Sequence, residues 1–482
     1  MTIKDLQPVE IWKYFDDIVK LPRPSKKEEK IIQYLIDFAV KHKLDYEKDD
    51  VGNVIIRKPG TAGKEKSKTV ILQSHSDMVC EKNQDTVHNF DKDPIQAYVD
   101  GDWVKAKGTT LGGDDGIGIA AALAILASDT IKHPPIEALF TADEETGMSG
   151  AFGLKPGFMK GTVLINLDSE DEGELFIGCA GGMDTVAEFT YKKKPLPKNA
   201  EAWKISVTGL KGGHSGDEID KGLGNSNKIL NRIILNTNKK FEIRLSDFNG
   251  GNLRNAIPRE AFAIVTINKN NSTEFEANVK KTADRIKDEF KTTEPDLKVE
   301  LEKTTMPEFV ISNKNQYKLL HSIYACWHGV YAMSPDMPGL VETSTNLASV
   351  KFTNESKIRI ETSQRSSIES AKYDMAQTVG AVFELAGATV KHGDGYPGWK
   401  PNVKSDILKI TEDSYMKLFG TKPVVRAIHA GLECGLFLEK YPYLDMISFG
   451  PTIKGAHSPD ERMNIPTVKK FWDLLVDVLD RI

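Results

Sequence analysis

Apolar residues fall along the chain in short blocks with two distinct rhythms. "GNVIIRK" (52–58), "KTVILQS" (68–74), "PIEALFTA" (135–142) and "GTVLINL" (161–167) are short segments with apolar centres, of strand length. "SKKEEKIIQYLIDFAVKHK" (25–43) instead spaces its apolar residues three and four apart, as one face of a helix does. "GIGIAAALAILA" (116–127) is apolar all round and too short to span a bilayer, which predicts a buried helix. Strands alternating with helices over 1–183 predict an α/β layer with a mainly parallel sheet flanked by helices.

From about residue 184 the rhythm changes. "EAWKISVTGL" reads as a strand, "NSNKILNRIILNT" as a helix, and "KKFEIRLSDFNGGNLRNAIPREAFAIVTIN" as a hairpin turning near Asn249–Asn252. The helix "EFEANVKKTADRIKDEF" and the strand "DLKVELEK" follow, completing the β-α-β-β-α-β order of a ferredoxin-like unit. A comparable run of helix, two strands, helix and strand occupies 314–393, without visible sequence repetition. The expected organisation is a catalytic α/β domain begun by 1–183, an inserted α+β lid and dimerisation domain of two ferredoxin-like halves at 184–397, and completion of the first domain by 398–482.

Length and composition narrow the class. A chain of 482 residues exceeds one ordinary core, and 40% hydrophobic with 28% charged residues fits a globular protein. The net charge of −5, with no dense basic block, argues against nucleic acid as a partner, and no segment suggests a membrane. Cys80, Cys179, Cys326 and Cys434 are scattered without a C-x-x-C pair, which predicts reduced thiols and a cytoplasmic location. "MTIKDLQPVEIWKYF" lacks the apolar core of a signal peptide.

Chemistry gathers where the apolar strands end. "TVILQ" runs into His75 and Asp77, "PIEALFTA" into Asp143, Glu144 and Glu145, and "TVLINL" into Asp168; "DMISFGP" leads through a short loop to His457. Between the first two lies "TTLGGDDGIG", a glycine-rich loop with Asp114 and Asp115. Open α/β sheets bind ligands beyond the carboxyl ends of their strands, so these groups would converge. Imidazoles and carboxylates without thiolate form a ligand set for zinc, cobalt or manganese. Two histidines with three or more acids suit two ions sharing a carboxylate, about 3.5–4 Å apart in two-metal hydrolases. Singly, each signal has a plainer reading: a surface histidine, a solvated acidic face, or a Gly-Asp turn.

The blocks "LQSHSDMVCEKN", "GTTLGGDDGIGIAAALAI", "TADEETGMSGAFGL", "LINLDSEDEGELFIGCAGG", "AIHAGLECGLF" and "GAHSPDERM" resemble the two-zinc peptidase family of aminoacylases, glutamate carboxypeptidases, tripeptidase T and carnosinases, and within it the Xaa-His dipeptidase branch. The resemblance spans essentially the full length. It implies two divalent metal ions, zinc before manganese or cobalt, held by His75, Asp114, Glu145, Asp168 and His457, with Asp114 bridging. It further implies Asp77 behind His75, Glu144 as the general base towards a metal-activated water, and often a cis peptide after the bridging aspartate. His214 matches an oxyanion-binding histidine that related enzymes often supply from a partner subunit, which implies a homodimer through the lid. Arg365 and Asn255 are candidates for the substrate carboxylate, and Glu433 for a free amino group; each also has a plain structural reading.

Three function classes follow. The leading one is a metallodipeptidase cleaving Xaa-His and carnosine-type peptides; the alternative is an N-acyl-amino-acid deacylase or other amidohydrolase, which would have no use for an acidic amine pocket. A non-catalytic peptide- or metal-binding relative would be expected to have lost the base or a ligand, yet Glu144 and all five candidate ligands are present.

Overall fold

The computed structural model describes residues 2–482. The chain divides into two compact units: 1–179 with 399–427 and 432–482, and 180–398 with 428–431.

The first unit is built on an eight-stranded sheet. Its centre is parallel: Val70–His75 lies between Ile136–Thr141 and Val163–Asn166, and Asp445–Ser448 continues the sheet beside Val163–Asn166. Antiparallel strands close both sides, Val54–Lys58 beside Ile136–Thr141 and Glu174–Cys179 beside Asp445–Ser448. Every residue of Val70–His75, Ile136–Thr141 and Val163–Asn166 is buried, as expected for strands covered on both faces. The register pairs His75 with Thr141, Gln73 with Asn166, and Asn166 with Ser448, so these strands end along one edge.

The helix Gly113–Ala127 buries nearly all its side chains, so the all-round apolar reading of its sequence holds. A Cβ on Gly116 would stand 3.3 Å from Phe15 and 3.5 Å from Ile18, showing how closely the helix Val9–Ile18 approaches. The last helix, Ile465–Arg481, starts where the Asn464 side chain accepts from the Thr467 N–H, and it buries Val468, Phe471, Leu475 and Leu479 on one face.

The second unit carries a nine-stranded antiparallel sheet. Ala200–Thr208, Arg244–Gly250, Ala261–Asn268 and Lys298–Lys303, with the helices Ser226–Phe241 and Ser272–Phe290, form one ferredoxin-like half in spatial order fourth, first, third, second. Gly181–Thr190, Val341–Phe352, Lys357–Ser366 and Thr389–His392, with the helices Asn313–Ala325 and Glu369–Leu385, repeat that order. The first strand of the second half therefore precedes the whole of the first half in sequence. The halves join where Asn249 and Gly250 pair with Lys351 and Val350.

One expected turn is displaced. Asn249 and Gly250 still pair with Phe262 and Ala261, so the chain does not reverse at Asn249–Asn252. The connection is a longer loop, within which Ala256–Ile257 pairs with Gly213–His214. The Asn-Gly-Gly-Asn sequence has turn chemistry, but the cross-strand partners of Asn249 and Gly250 carry the strand into it, and the chain leaves the ladder only after Gly250.

Candidate active site

The central strands of the first unit deliver functional groups at their ends or in the loops that follow. His75 is the last residue of its strand, and its Nε2 lies 2.9 Å from Asp114 Oδ1 and 3.5 Å from Asp168 Oδ1. His457 Nε2 lies 3.2 Å from Asp114 Oδ2 and 3.1 Å from Glu145 Oε2. His75, Asp114 and Asp168 thus form one group of possible metal ligands, and Asp114, Glu145 and His457 another, each with ligand atoms within 4.8 Å of one another. Asp114 belongs to both, offering a different oxygen to each histidine.

The opposite ring nitrogen of His75 faces Asp77 Oδ1 at 3.2 Å, and Asp77 is fully buried. Asp77 also accepts from the Glu144 and Glu145 N–H groups at 3.0 and 3.2 Å and from the Ser25 hydroxyl at 2.7 Å. Burial works against the Asp77 anion, but the bonds from His75, Ser25 and the Glu144 amide outweigh it and hold its pKa at about 2. One carboxylate therefore orients the imidazole and fixes the segment carrying Glu144 and Glu145.

That segment does not continue the strand that precedes it. The strand stops at Thr141, Asp143 turns left-handed at φ 54°, and Glu144 opens the short helix Glu144–Gly147. The Thr146 and Ser149 hydroxyls donate to Asp143 and stabilise this turn. Burial pushes Glu144 well above the ordinary carboxylate range; His75 opposes this, while Asp168, Glu433 and Glu145 add to it.

The donor set fits divalent cations. Three carboxylates converge on two imidazoles, and Glu145 Oε1 is buried without a hydrogen-bond partner. Such crowding of acids is costly without a compensating positive charge. The Asp114–Asp115 peptide is cis.

Glu433 sits deeper, its Oε2 accepting from Gln73 Nε2 and the Thr141 hydroxyl, both at 2.7 Å, while its Oε1 is buried without a partner. Burial pushes its pKa up to about 8.

In the second unit, the structure draws His214 and Arg365 together. Arg365 Nη1 donates to the Tyr396 hydroxyl at 2.9 Å, and Nη2 lies 3.5 Å from His214 Nε2. The Asn255 carbonyl accepts from the Ser215 N–H at 2.8 Å, which places the Asn255 loop beside His214. Buried His429 meets the Ser344 hydroxyl at 2.8 Å. This cluster combines a guanidinium, two imidazoles and a phenol with one carboxylate, Asp217, 3.3 Å from His214 Nδ1, and its guanidinium is suited to a carboxylate ligand.

Sequence reasoning missed Glu461, Arg23 and Tyr396. Glu461 reads as part of an exposed "PDER" charge run, and Arg23 lies in an unremarkable "LPRPS". Buried Arg23 donates to the carbonyls of Ser76, Asp77 and Gly112, supporting the loops that hold Asp77 and Asp114. No local signal distinguishes either residue, because their partners are backbone atoms distant in sequence.

A parallel-centred α/β unit with imidazoles and carboxylates at its strand ends, interrupted by a paired ferredoxin-like unit, defines the class: residues 71–481 match the model of peptidase family M20/M25/M40, and the chain belongs to that family. It is a peptidase, hence a hydrolase. It is 43% identical over 480 residues to the cytosol non-specific dipeptidase of Escherichia coli (strain K12), covering 100% of this chain and 99% of that one. The aminoacylhistidine dipeptidase structure from Vibrio alginolyticus superposes with a TM-score of 0.94 at 45% identity, covering 100% of this chain and 98% of the other. Aminopeptidase PepT from Bacillus cereus ATCC 10987 shares the fold at a TM-score of 0.57 and 15% identity, with 98% of each chain covered. Among the described residues no helix is long and apolar enough to cross a membrane.

Proposed function

We propose that this chain is a two-metal dipeptidase that hydrolyses dipeptides, preferring Xaa-His and including carnosine-type β-alanyl substrates. The observation that carries the reading is the pair of donor groups sharing Asp114 beside the high-pKa carboxyl of Glu144. The family, and the dipeptidase activities for which the Escherichia coli and Vibrio alginolyticus relatives are named, support it. His75, Asp114 and Asp168 would hold one ion, and Asp114, Glu145 and His457 the other; zinc is the first candidate, with manganese or cobalt as alternatives. Bound there, the ions would supply Lewis acidity towards the peptide carbonyl and lower the pKa of water.

The chain's own residues do the remaining work. Glu144 takes the proton of the attacking water and delivers it to the leaving amine, a role favoured by a carboxyl pKa that burial raises. Asp77 keeps the imidazole of His75 in the required tautomer and orientation. Arg365, with Asn255, captures the substrate carboxylate, and His214 stabilises the developing oxyanion. Glu433 neutralises the free amino group; an amine brought to its unpartnered Oε1 would complete that carboxylate's hydrogen bonding. The enzyme works in the cytoplasm as a homodimer formed through the inserted unit.

The test is release of free histidine from Ala-His and β-Ala-His, before and after chelation and with zinc or manganese restored. Metal-restored release is the expected result. No release by protein carrying two metals would overturn the Xaa-His assignment, and turnover of N-acyl amino acids instead would favour the deacylase reading.

A further inference from the structure

We propose that Glu461 is a positioning residue for the metal centre, its buried carboxylate fixing the backbone that carries Asp114 and tying it to the loop that carries His457. The proposal rests on the two-metal reading above, and its test separates the two.

Glu461 is 3% exposed and spends both oxygens on backbone amides. Its Oε2 accepts from the N–H groups of Leu111 at 2.7 Å and Gly112 at 3.1 Å, and its Oε1 from Gly113 at 2.7 Å and Asp114 at 3.4 Å. These amides precede the regular turns of the helix Gly113–Ala127, whose backbone is non-helical at Asp114 and Asp115, so the carboxylate supplies acceptors that helix geometry does not. Four donors sharing two oxygens require a pure acceptor, which among side chains of this shape is the ionised carboxylate. The same segment is held from its other side, the Gly112 carbonyl accepting from Arg23 Nη2 at 2.5 Å. Space there is closed: a Cβ on left-handed Gly112 would stand 2.8 Å from that nitrogen and 2.9 Å from Met78 Sδ.

Glu461 is itself anchored. Its N–H bonds to the Ser458 carbonyl at 3.0 Å, and the strand Arg462–Asn464 that follows pairs with Trp103–Ala106. His457 lies in the preceding loop, in a left-handed conformation at φ 61°, with 56% of its side chain exposed. One carboxylate thus joins the two loops whose side chains meet at Asp114 Oδ2 and His457 Nε2.

The two donor groups depend on this clamp unequally. His75 ends a strand paired on both sides, and Asp168 follows a paired strand, so the sheet holds them. His457 has no strand of its own and takes its place from the loop that Glu461 ties down. Loss of the clamp should therefore weaken the Asp114–Glu145–His457 site far more than the His75–Asp114–Asp168 site.

The experiment titrates metal-stripped, full-length protein with zinc against a competing chromophoric chelator. Wild type is expected to bind two ions. Glu461→Gln, which presents an amide donor to amide donors, should keep one tight site and weaken the other by on the order of 10–100-fold. Glu137→Gln is the control: this buried carboxylate accepts from the Lys160 and Gly161 N–H groups near the opposite end of the sheet, and its loss should leave both affinities intact. Unchanged affinities in Glu461→Gln, or equal weakening of both, overturns the proposal; a wild type that binds fewer than two ions overturns the two-metal reading instead. Should Glu461→Gln not fold, hydrogen exchange of the Leu111–Asp114 amides in metal-stripped wild type decides. Slow exchange supports a clamp present before the metal, and exchange at unprotected rates overturns it.

Discussion

At the edge of the parallel sheet, His75 and His457 stand among Asp114, Glu145 and Asp168, whereas in the antiparallel unit Arg365, His214 and His429 gather around Tyr396 and Ser344. The first cluster has an excess of negative charge and calls for cations; the second gathers its donors around the Arg365 guanidinium, with the Asp217 carboxylate 3.3 Å from His214 Nδ1. The difference follows from topology. Parallel strands end on one edge, so their loops must converge there, and acids concentrated at that edge are tolerable only with counter-charge. In the antiparallel unit, a longer loop than the sequence suggests returns through Asn255 and pairs Ala256 with His214. The anion-seeking cluster is assembled by cross-strand register.

Breaking the acidic cluster should produce the largest effect. Glu144→Gln removes a proton carrier but none of the five proposed ligands, so kcat should fall by on the order of 10²–10⁴-fold or more while bound metal is unchanged. Steady-state kinetics with metal analysis on the same sample checks both halves. Metal lost along with activity would place Glu144 among the ligands instead.

Breaking the basic cluster should be felt mainly in binding. Arg365→Ala removes a buried charged donor, and charge-assisted hydrogen bonds contribute about 1.5–3 kcal/mol, so kcat/KM for a dipeptide should fall by roughly 10–100-fold. An amidated dipeptide, lacking the carboxylate, should lose little more in the variant than in wild type. Lysine at this position should rescue poorly, because it cannot present a bidentate fork.

Asp77→Asn tests the link between imidazole orientation and metal. Neutralising the partner of His75 Nδ1 should weaken metal binding by about 10–100-fold, read by the same chelator competition. A comparable loss of activity without loss of affinity would assign Asp77 to the Glu144 segment, whose amides it also holds.

The smallest effect sharpens the comparison through stability. Burial, with the charge of Arg365 beside it, pushes His429 down to about 3 from an ordinary value of 6.5. Above pH 6.5 the ring is neutral folded or unfolded and contributes nothing to the pH dependence. As pH falls towards 3 the unfolded chain takes up a proton that the folded chain does not, so stability is lost by up to about 1.4 kcal/mol per pH unit. Thermal unfolding between pH 7 and 5 should show this slope, and His429→Gln should flatten it. An unchanged slope in the variant would mean that another group sets the acid sensitivity.

By itself, the sequence determined the elements and the chemistry they carry. Short segments with apolar centres bury them in strands, so "KTVILQS", "PIEALFTA" and "GTVLINL" marked the sheet centre, and the residues after them were legible as His75, Asp77, Glu144, Glu145 and Asp168. The all-round apolar pattern after Gly116 marked the central helix for the same reason. What only the tertiary structure decided was partnership. Asp114 faces both His75 and His457, residues far apart in sequence; the family resemblance implies that choice, but the residues of "GGDDG" by themselves do not say which aspartate makes it. Asp143 takes a left-handed turn that puts Glu144 and Glu145 on a helix start, because Thr146, Ser149 and the Asp77 carboxylate hold it there. Glu461 and Arg23 serve backbone amides and carbonyls, which every residue possesses and no side-chain pattern announces. Periodicity reports how each segment meets water, but the pairing of distant polar groups depends on register and loop path, which are settled only when the segments pack together.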